Sequence, residues 1–179
     1  MINYQKSKNI LKKSKIKILD EIIESSKSLN RVISENIFSK VDYPARDNAA
    51  FDGYAINSND TKYIDKKNPK FFKIVGSIYA GTKPLRKKLK KFDAIEIMTG
   101  GLINKPFNTI IPVEQAILLP DQKNRKSILI DKEIKISSHV RFRASDFKKG
   151  ELLVKKGTII QPNHIIAFKT LGIKKIKVK

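Results

Sequence analysis

The sequence predicts an α+β protein, and three changes of texture along its 179 residues carry that expectation. Apolar residues recur near helical spacing over residues 7–33. From Phe38 to Phe142 short β-rich runs alternate with Gly, Pro, Asn and Asp. The remaining residues read as a hairpin, a helix and a final strand.

Taken in order, Ile10, Leu11, Ser14, Ile18, Leu19, Ile22 and Ile23 predict an amphipathic helix over 7–24, continuous or broken. Ser25 is the expected N-cap of a short second helix through Leu29, Val32 and Ile33. Strands are expected at 54–57, 71–79, 94–98, 109–119 and 127–131, with "EIKIS" as a further one. "GELLVKKGTII" predicts a hairpin turning at Lys155-Lys156-Gly157. In "QPNHIIAFKTLG" Pro162 opens a helix and Gly172 caps it, and "KKIKVK" is a closing strand that needs a partner.

A chain of this length can bury about 70% of its unfolded surface, enough for a core. With 40% hydrophobic residues it reads as globular. No apolar run approaches the roughly 18–20 residues of a membrane span, and "MINYQKSKNILKK" carries no secretory pattern. A cytoplasmic protein without a membrane partner is the expectation. Cysteine is absent, which excludes disulfides, thiolate nucleophiles and sulfur-bound zinc, and only His139 and His164 offer imidazole. Any metal should therefore be a hard, oxygen-bound one. The formal net charge of +21 raises the question of nucleic acid. Its lysines are scattered through every segment, however, and read as a solvated coat rather than a nucleic-acid surface.

Against that charge, "VDYPARDNAAFDGYAI" gathers Asp42, Asp47 and Asp52 around one base, Arg46. Asp47-Asn48 can cap the following turn, and Asp52-Gly53 is a turn dipeptide before a strand. A carboxylate held at such a turn suits Mg²⁺ or the positioning of water; it is equally an ordinary turn former among lysines. In "EIMTGG", Thr99, Gly100 and Gly101 offer a hydroxyl and closely approachable backbone N–H groups that could receive an oxyanion, or form an ordinary Gly-rich turn. In "VRFRASDFKKGELL", Asp146 stands among Arg141, Arg143, Lys148 and Lys149, a phosphate-binding patch or, on residue type alone, a solvated ion-pair network.

In order, "YPARDNAAFDGYAI", "VGSIYAGTKP", "EIMTGG…TIIPVEQA" and "VRFRASDFKKGELLVKKGTIIQPNHIIAFKTLGIKKIKV" resemble the N-terminal half of molybdopterin molybdenumtransferase, the MoeA and gephyrin E-domain family. The resemblance runs from near Leu29 to the last residue, and "DNAAFDGYA" is its most specific block. It implies an elongated fold with a discontinuous first domain, 1–40 plus 143–179, and an inserted β-rich second domain, 41–142. It also implies that an α/β pterin-binding domain and a small β domain are missing after the final strand. The activity implied is insertion of molybdate into adenylylated molybdopterin, with Mg²⁺ and release of AMP. By the same resemblance Asp52 and Asp146 are catalytic, Asp52 lies near Mg²⁺ or molybdate, and Thr99, Gly100, Gly53 and Gly81 shape the cofactor-binding cleft. The implied partners are a second copy of the chain in a homodimer or a separately encoded C-terminal half, with a molybdopterin-adenylylating protein as a further candidate.

Some positions depart from the family pattern. Glu96 replaces an arginine, Gly101-Leu102-Ile103-Asn104 replaces a proline-bearing turn, Asn108 replaces an aspartate, and Ala144-Ser145 replaces Gly-Glu. Glu96 reverses a charge where an anion should approach. A chain with half of a cleft is expected to be inactive alone; a non-catalytic remnant or a dimerisation or docking module of cofactor assembly is the alternative, with a basic nucleic-acid-binding protein ranked third.

Overall fold

Segments far apart in sequence supply one another's backbone partners throughout the computed structural model, which describes residues 2–14, 18–83, 88–121 and 123–179. The fold is α+β and divides into two units, Met1–Lys40 with Gly150–Lys179, and Val41–Lys149. The second is thus inserted in the first. Residues 143–149, expected with the first domain, stand with the second. Phe147 bridges to Tyr43 and the Ala144 N–H donates to the Pro44 carbonyl, whereas at Gly150 the N–H turns to Ser39.

In the first unit the opening helix is shorter than expected. Helix α1, Tyr4–Lys13, starts where the Asn3 side chain accepts from the Lys6 N–H at 2.8 Å. Residues 15–17 of the expected helix lie outside the described residues. Glu21–Glu24 is not helical but forms strand β1, antiparallel to the closing strand, here β12, Lys175–Val178. Its isoleucines are β-branched and split across the strand, Ile23 packing on the core while Ile22 is exposed. The second helix is reduced to a 3-10 turn at Ser25–Lys27, because the Ser25 N–H and hydroxyl donate to Lys174 and Ile173 carbonyls instead.

The expected hairpin also fails to close on itself. Strand β11, Leu152–Val154, pairs with β2, Ile37–Phe38, and Ile159 bridges to Val32. Both arms meet the 30–38 segment, which buries Val154 and Ile160 with Ile33 and Ile37; a lone two-stranded hairpin has no such core. Helix α2, Pro162–Thr170, forms as expected with Pro162 at its first position, and Gly172 follows at φ +69°. Its Phe168 is fully buried in the same cluster.

The second unit contains β3, Asn48–Ala49; β4, Gly53–Ile56; β5, Lys70–Ile78; β6, Asp93–Ile97; β7, Thr109–Pro112; β8, Ile117–Leu119; β9, Ser127–Ile130; and β10, Val140–Arg141. Six form one mixed sheet in the order β7-β4-β6-β5-β9-β8, in which only β5 and β6 run parallel. The expected long strand over 109–119 is divided, since Pro112 has no N–H and the Val113 N–H donates to the Asp52 carbonyl. "EIKIS" is not a strand; Ile134 and Lys135 bond the hydroxyls of Thr61 and Thr109 rather than a neighbouring ladder. Every residue of β4 is buried. Tyr54 and Ile56 face one apolar cluster and Ala55 the other, so the sheet has a core on both faces.

Gly53 sits where β4 and β7 approach so closely that an added Cβ would lie 2.0 Å from the Ile111 carbonyl oxygen. Gly53→Ala should therefore destabilise the protein by about 3 kcal/mol, the upper range for overpacking. Gly81 has open space but φ +78°, so Gly81→Ala should cost only about 1 kcal/mol. Urea unfolding followed by circular dichroism distinguishes them; equal costs would overturn the assigned cause at Gly53.

Candidate functional site

The turn between β3 and β4 and the turn after β6 are bound to each other. Gly100 donates its N–H to the Ala49 carbonyl and Ala49 donates to the Gly101 carbonyl, each at 2.9 Å. Gly101 closes the β6 turn through an N–H bond to Met98, and an added Cβ there would stand 2.7 Å from Ile97. This arrangement delivers Thr99 to Asp52. The Thr99 N–H and hydroxyl both donate to Asp52 Oδ1 at 2.7 Å.

Two donors on one oxygen fix the carboxylate and favour its charged form. The Thr99 N–H first, and its hydroxyl second, hold Asp52 below the usual carboxylate range. Both residues are exposed, and no hydrogen bond or ion pair to Oδ2 is found among the described residues. The site thus presents a fixed, charged oxygen to solvent at neutral pH. It suits holding a cation or orienting a donor better than it suits giving up a proton.

The reading of Met98–Gly101 as an oxyanion cradle is corrected by the same bonds. The N–H groups of Thr99, Gly100 and Gly101 are occupied by Asp52, Ala49 and Met98. No amide of that run is left for an anion. Of the other glycines, Gly53 lets β7 approach. Gly81 follows the end of β5, whose Ile78 carbonyl accepts from Met98.

Asp42 and Asp47 have a different task. Asp47 Oδ1 accepts from the Arg143 N–H at 2.7 Å, rather than capping its own turn. Asp42 takes the Arg143 side chain at 2.7 Å and the Lys149 N–H at 2.8 Å. These bonds lower the Asp42 pKa, the Lys149 amide first and the arginine second. Asp146 is paired with Arg141 and accepts from the Ser145 hydroxyl, so its contacts are with its own loop and not with Asp52 or Thr99. Its pKa is lowered, chiefly by Arg141. Asn108 caps the 3-10 turn at Ser58–Thr61 by accepting from the Ser58 N–H at 2.8 Å.

A residue that sequence reasoning missed completes the neighbourhood. A cavity of about 140 Å³ is lined by Asp52, Gly53, Tyr54, Glu96 and Arg125, among others. Arg125, from the connection between β8 and β9, bonds Glu96 at 2.7 Å and so neutralises the charge that had looked out of place. A half-buried carboxylate in the apolar run "AIEIM" was the available signal that a cation must come to it. A larger groove of about 520 Å³ on the same unit, lined by Ile117, Asp131, Glu133 and His139 among others, contains none of the sequence-predicted site residues.

A β-rich unit inserted in a small α/β-containing one, with an aspartate and a threonine joined across two turns, defines a two-domain region of a recognisable kind. The chain belongs to the MoeA N-terminal region (domain I and II) family, whose model matches residues 2–172. It is 31% identical over 152 residues to a molybdopterin molybdenumtransferase of Staphylococcus aureus, covering 85% of this chain and 35% of that one. It is 28% identical to the Bacillus subtilis protein of the same name, covering 84% and 35%. Among solved structures it is similar to a molybdopterin biosynthesis MoeA protein from Pyrococcus horikoshii, with TM-score 0.81 and 31% identity over 90% of this chain and 41% of that chain. The chain therefore spans little more than a third of the curated relatives it matches.

Removing only the Thr99 hydroxyl should raise the Asp52 pKa partway toward the ordinary value of about 3.9, since the amide bond remains. Carboxyl NMR titration of Thr99→Val checks this. Because the folded pKa is depressed, the contact's stabilisation is complete above about pH 3.9 and is lost as pH falls through the folded pKa. An Asp52 titration unchanged in Thr99→Val would remove the hydroxyl from the account.

Proposed function

We propose that this chain acts in molybdenum cofactor biosynthesis, contributing one wall of a site where molybdate is inserted into adenylylated molybdopterin with release of AMP. The observation that carries this reading is the Asp52–Thr99 pair, a fixed carboxylate on the rim of an inserted β unit in a chain of the MoeA N-terminal family. The named activity of the relatives supports it.

Among the described residues no three His, Cys, Asp or Glu side chains are grouped to hold a metal. A site with one carboxylate nonetheless fits Mg²⁺, which commonly keeps several waters and takes its other ligands from substrate phosphates. Asp52 Oδ2 would hold the ion, and Thr99 would keep the carboxylate in register. The ion would supply charge stabilisation to a phosphate leaving group. Gly53, Gly81 and Gly100 would act by shaping the turns around it. Asp146 would act by holding the Arg141–Phe147 loop. The remaining wall would come from the part of the relatives' length that this chain does not span, in a second copy or in another polypeptide, with a molybdopterin-adenylylating protein as the supplier of substrate.

The isolated chain is expected to give no turnover of adenylylated molybdopterin, and turnover by it alone would overturn the half-site reading. In a pair reconstituted with the remaining domains, Asp52→Asn should lower kcat by about 10²-fold or more while the circular dichroism spectrum is unchanged. Retention of full activity would remove Asp52 from the mechanism and favour a docking role.

A further inference from the structure

Helix α1 stands apart from the core of its unit. None of its residues is buried, and Tyr4, Ile10 and Leu11 are exposed at 77%, 49% and 74%. At about 100° per residue, Tyr4, Ser7, Ile10 and Leu11 share one arc of about 120° on the helix. Lys6, Lys8, Lys12 and Lys13 take the rest of the circumference with Gln5 and Asn9, and the helix carries no acidic residue. Among the described residues none of these four lysines has an ion pair. Lys8 instead folds over the edge of the apolar stripe, its Nζ 5.8 Å from the centre of the Tyr4 ring.

We propose that α1 docks on an anionic lipid surface, lying in the interface with the stripe of Tyr4, Ile10 and Leu11 among the headgroups and its lysines against the lipid charges. Charge selects this class of occupant. Residues 2–19 contain six lysines, Lys15 and Lys17 beyond the helix included, and the first acid in the chain is Asp20. The remaining chain therefore holds all 17 acids, interspersed with its bases, and the N-terminal segment is set apart by having none. A cluster of roughly four to eight basic residues on an amphipathic helix matches anionic headgroups, each lysine near the surface tightening binding about fivefold.

The form of the stripe separates a lipid surface from a protein groove. A groove-bound helix inserts large anchors a turn apart, at i, i+3 or i+4, and i+7. Between Tyr4 and Leu11 those middle positions are Ser7 and Lys8, so the central anchor is missing. A fluid interface demands no such spacing; it accepts a narrow stripe with an aromatic residue at one end and lysine stems along its edges. A helix of this length is also marginal in water without tertiary packing, and packing buries no residue of α1. A surface that covers the stripe stabilises the helix as well. The expectation of no membrane partner rested on the lack of a spanning run, and no described helix is long and apolar enough to cross a membrane. A helix that lies in the interface needs no such run. The inference is independent of the reaction proposed for Asp52.

The test uses the full chain and vesicles of mixed phosphatidylserine and phosphatidylcholine, with phosphatidylcholine alone as the control, at about 0.15 M salt to limit diffuse binding by the lysine coat. The chain has no tryptophan, so Leu11→Trp puts a single reporter in the stripe. Its emission should shift to the blue with the mixed vesicles and stay in place with the control. In co-sedimentation, Ile10→Ser with Leu11→Ser leaves the net charge unchanged and should weaken binding roughly tenfold or more. Lys8→Gln with Lys12→Gln should weaken it roughly 25-fold, and Lys155→Gln with Lys156→Gln, at an exposed turn of the same unit, far less. Every substituted side chain is exposed, so the variants should fold. Equal losses from the two lysine pairs, an affinity indifferent to the serine substitutions, or an unshifted emission would show the lysine coat binding at large and overturn the proposal. Absence of vesicle binding overturns it too: a dimer that the serine substitutions dissociate in analytical ultracentrifugation would then assign the stripe to a second copy, and a monomer would leave it to another protein.

Discussion

The reciprocal bonding of two turns is the constraint on which the candidate site depends. Asp52 belongs to the turn before β4 and Thr99 to the turn after β6, forty-seven positions away, and neither could fix the other through local structure. The Ala49 bonds to Gly100 and Gly101 hold the turns in register, and the antiparallel pairing of Gly53 with Ile97 sets the strands from which they spring. Because β4 is buried on both faces, a register slip would carry Tyr54 and Ala55 into each other's cores, which is costly. The carboxylate is thus positioned by hydrophobic burial acting through two glycine-bearing turns.

The electrostatics follow from scarcity. In a chain of net charge +21 each carboxylate can find a basic partner, yet the three aspartates of "VDYPARDNAAFDGYAI" do not share one fate. Asp42 and Asp47 take amides and the arginine of the 143–149 segment, and so bind a distant stretch of chain to the start of the second unit. Asp52 alone among them bonds to a neutral residue. An ion pair would cancel its charge, whereas hydrogen bonds from an amide and a hydroxyl stabilise the charge and leave it available. That difference in partners separates a structural aspartate from one fit to meet a ligand.

Much of this was legible in sequence where the signal is local. The strands at 54–57, 71–79 and 94–98 alternate or run apolar between turn residues, and helix α2 carries its own proline and glycine punctuation, so each stands within a residue or two of its expected place. The turn at Asp52-Gly53 was legible from that dipeptide, whereas a role for Asp52 came only from the resemblance. What was not legible is set by long-range pairing. Ile22 and Ile23 fit a helical period as well as a strand, and only β12 decides between them. The arms of "GELLVKKGTII" alternate as a hairpin should, and only the 30–38 segment takes their bonds away. The Arg125 partnership with Glu96 spans twenty-nine positions and leaves no periodic trace.

The pair at 96 and 125 also bears on how an anion can be recognised in this fold at all. With the amides of Thr99, Gly100 and Gly101 occupied, the β6 turn has no backbone donors to offer an anion. By the resemblance drawn from the sequence, Glu96 stands where the family pattern has an arginine. In this chain a cation comes from the connection between β8 and β9 and is held by Glu96. Arg125 brings one guanidinium to the cavity and Glu96 orients it. The pairing makes the two positions interdependent: restoring arginine at 96 alone would set two guanidiniums against each other, and removing Arg125 alone would leave a half-buried carboxylate without its charge partner. Only a coordinated change at both positions leaves the pocket charge-balanced, so the reversed charge at Glu96 is compatible with anion binding as long as Arg125 accompanies it.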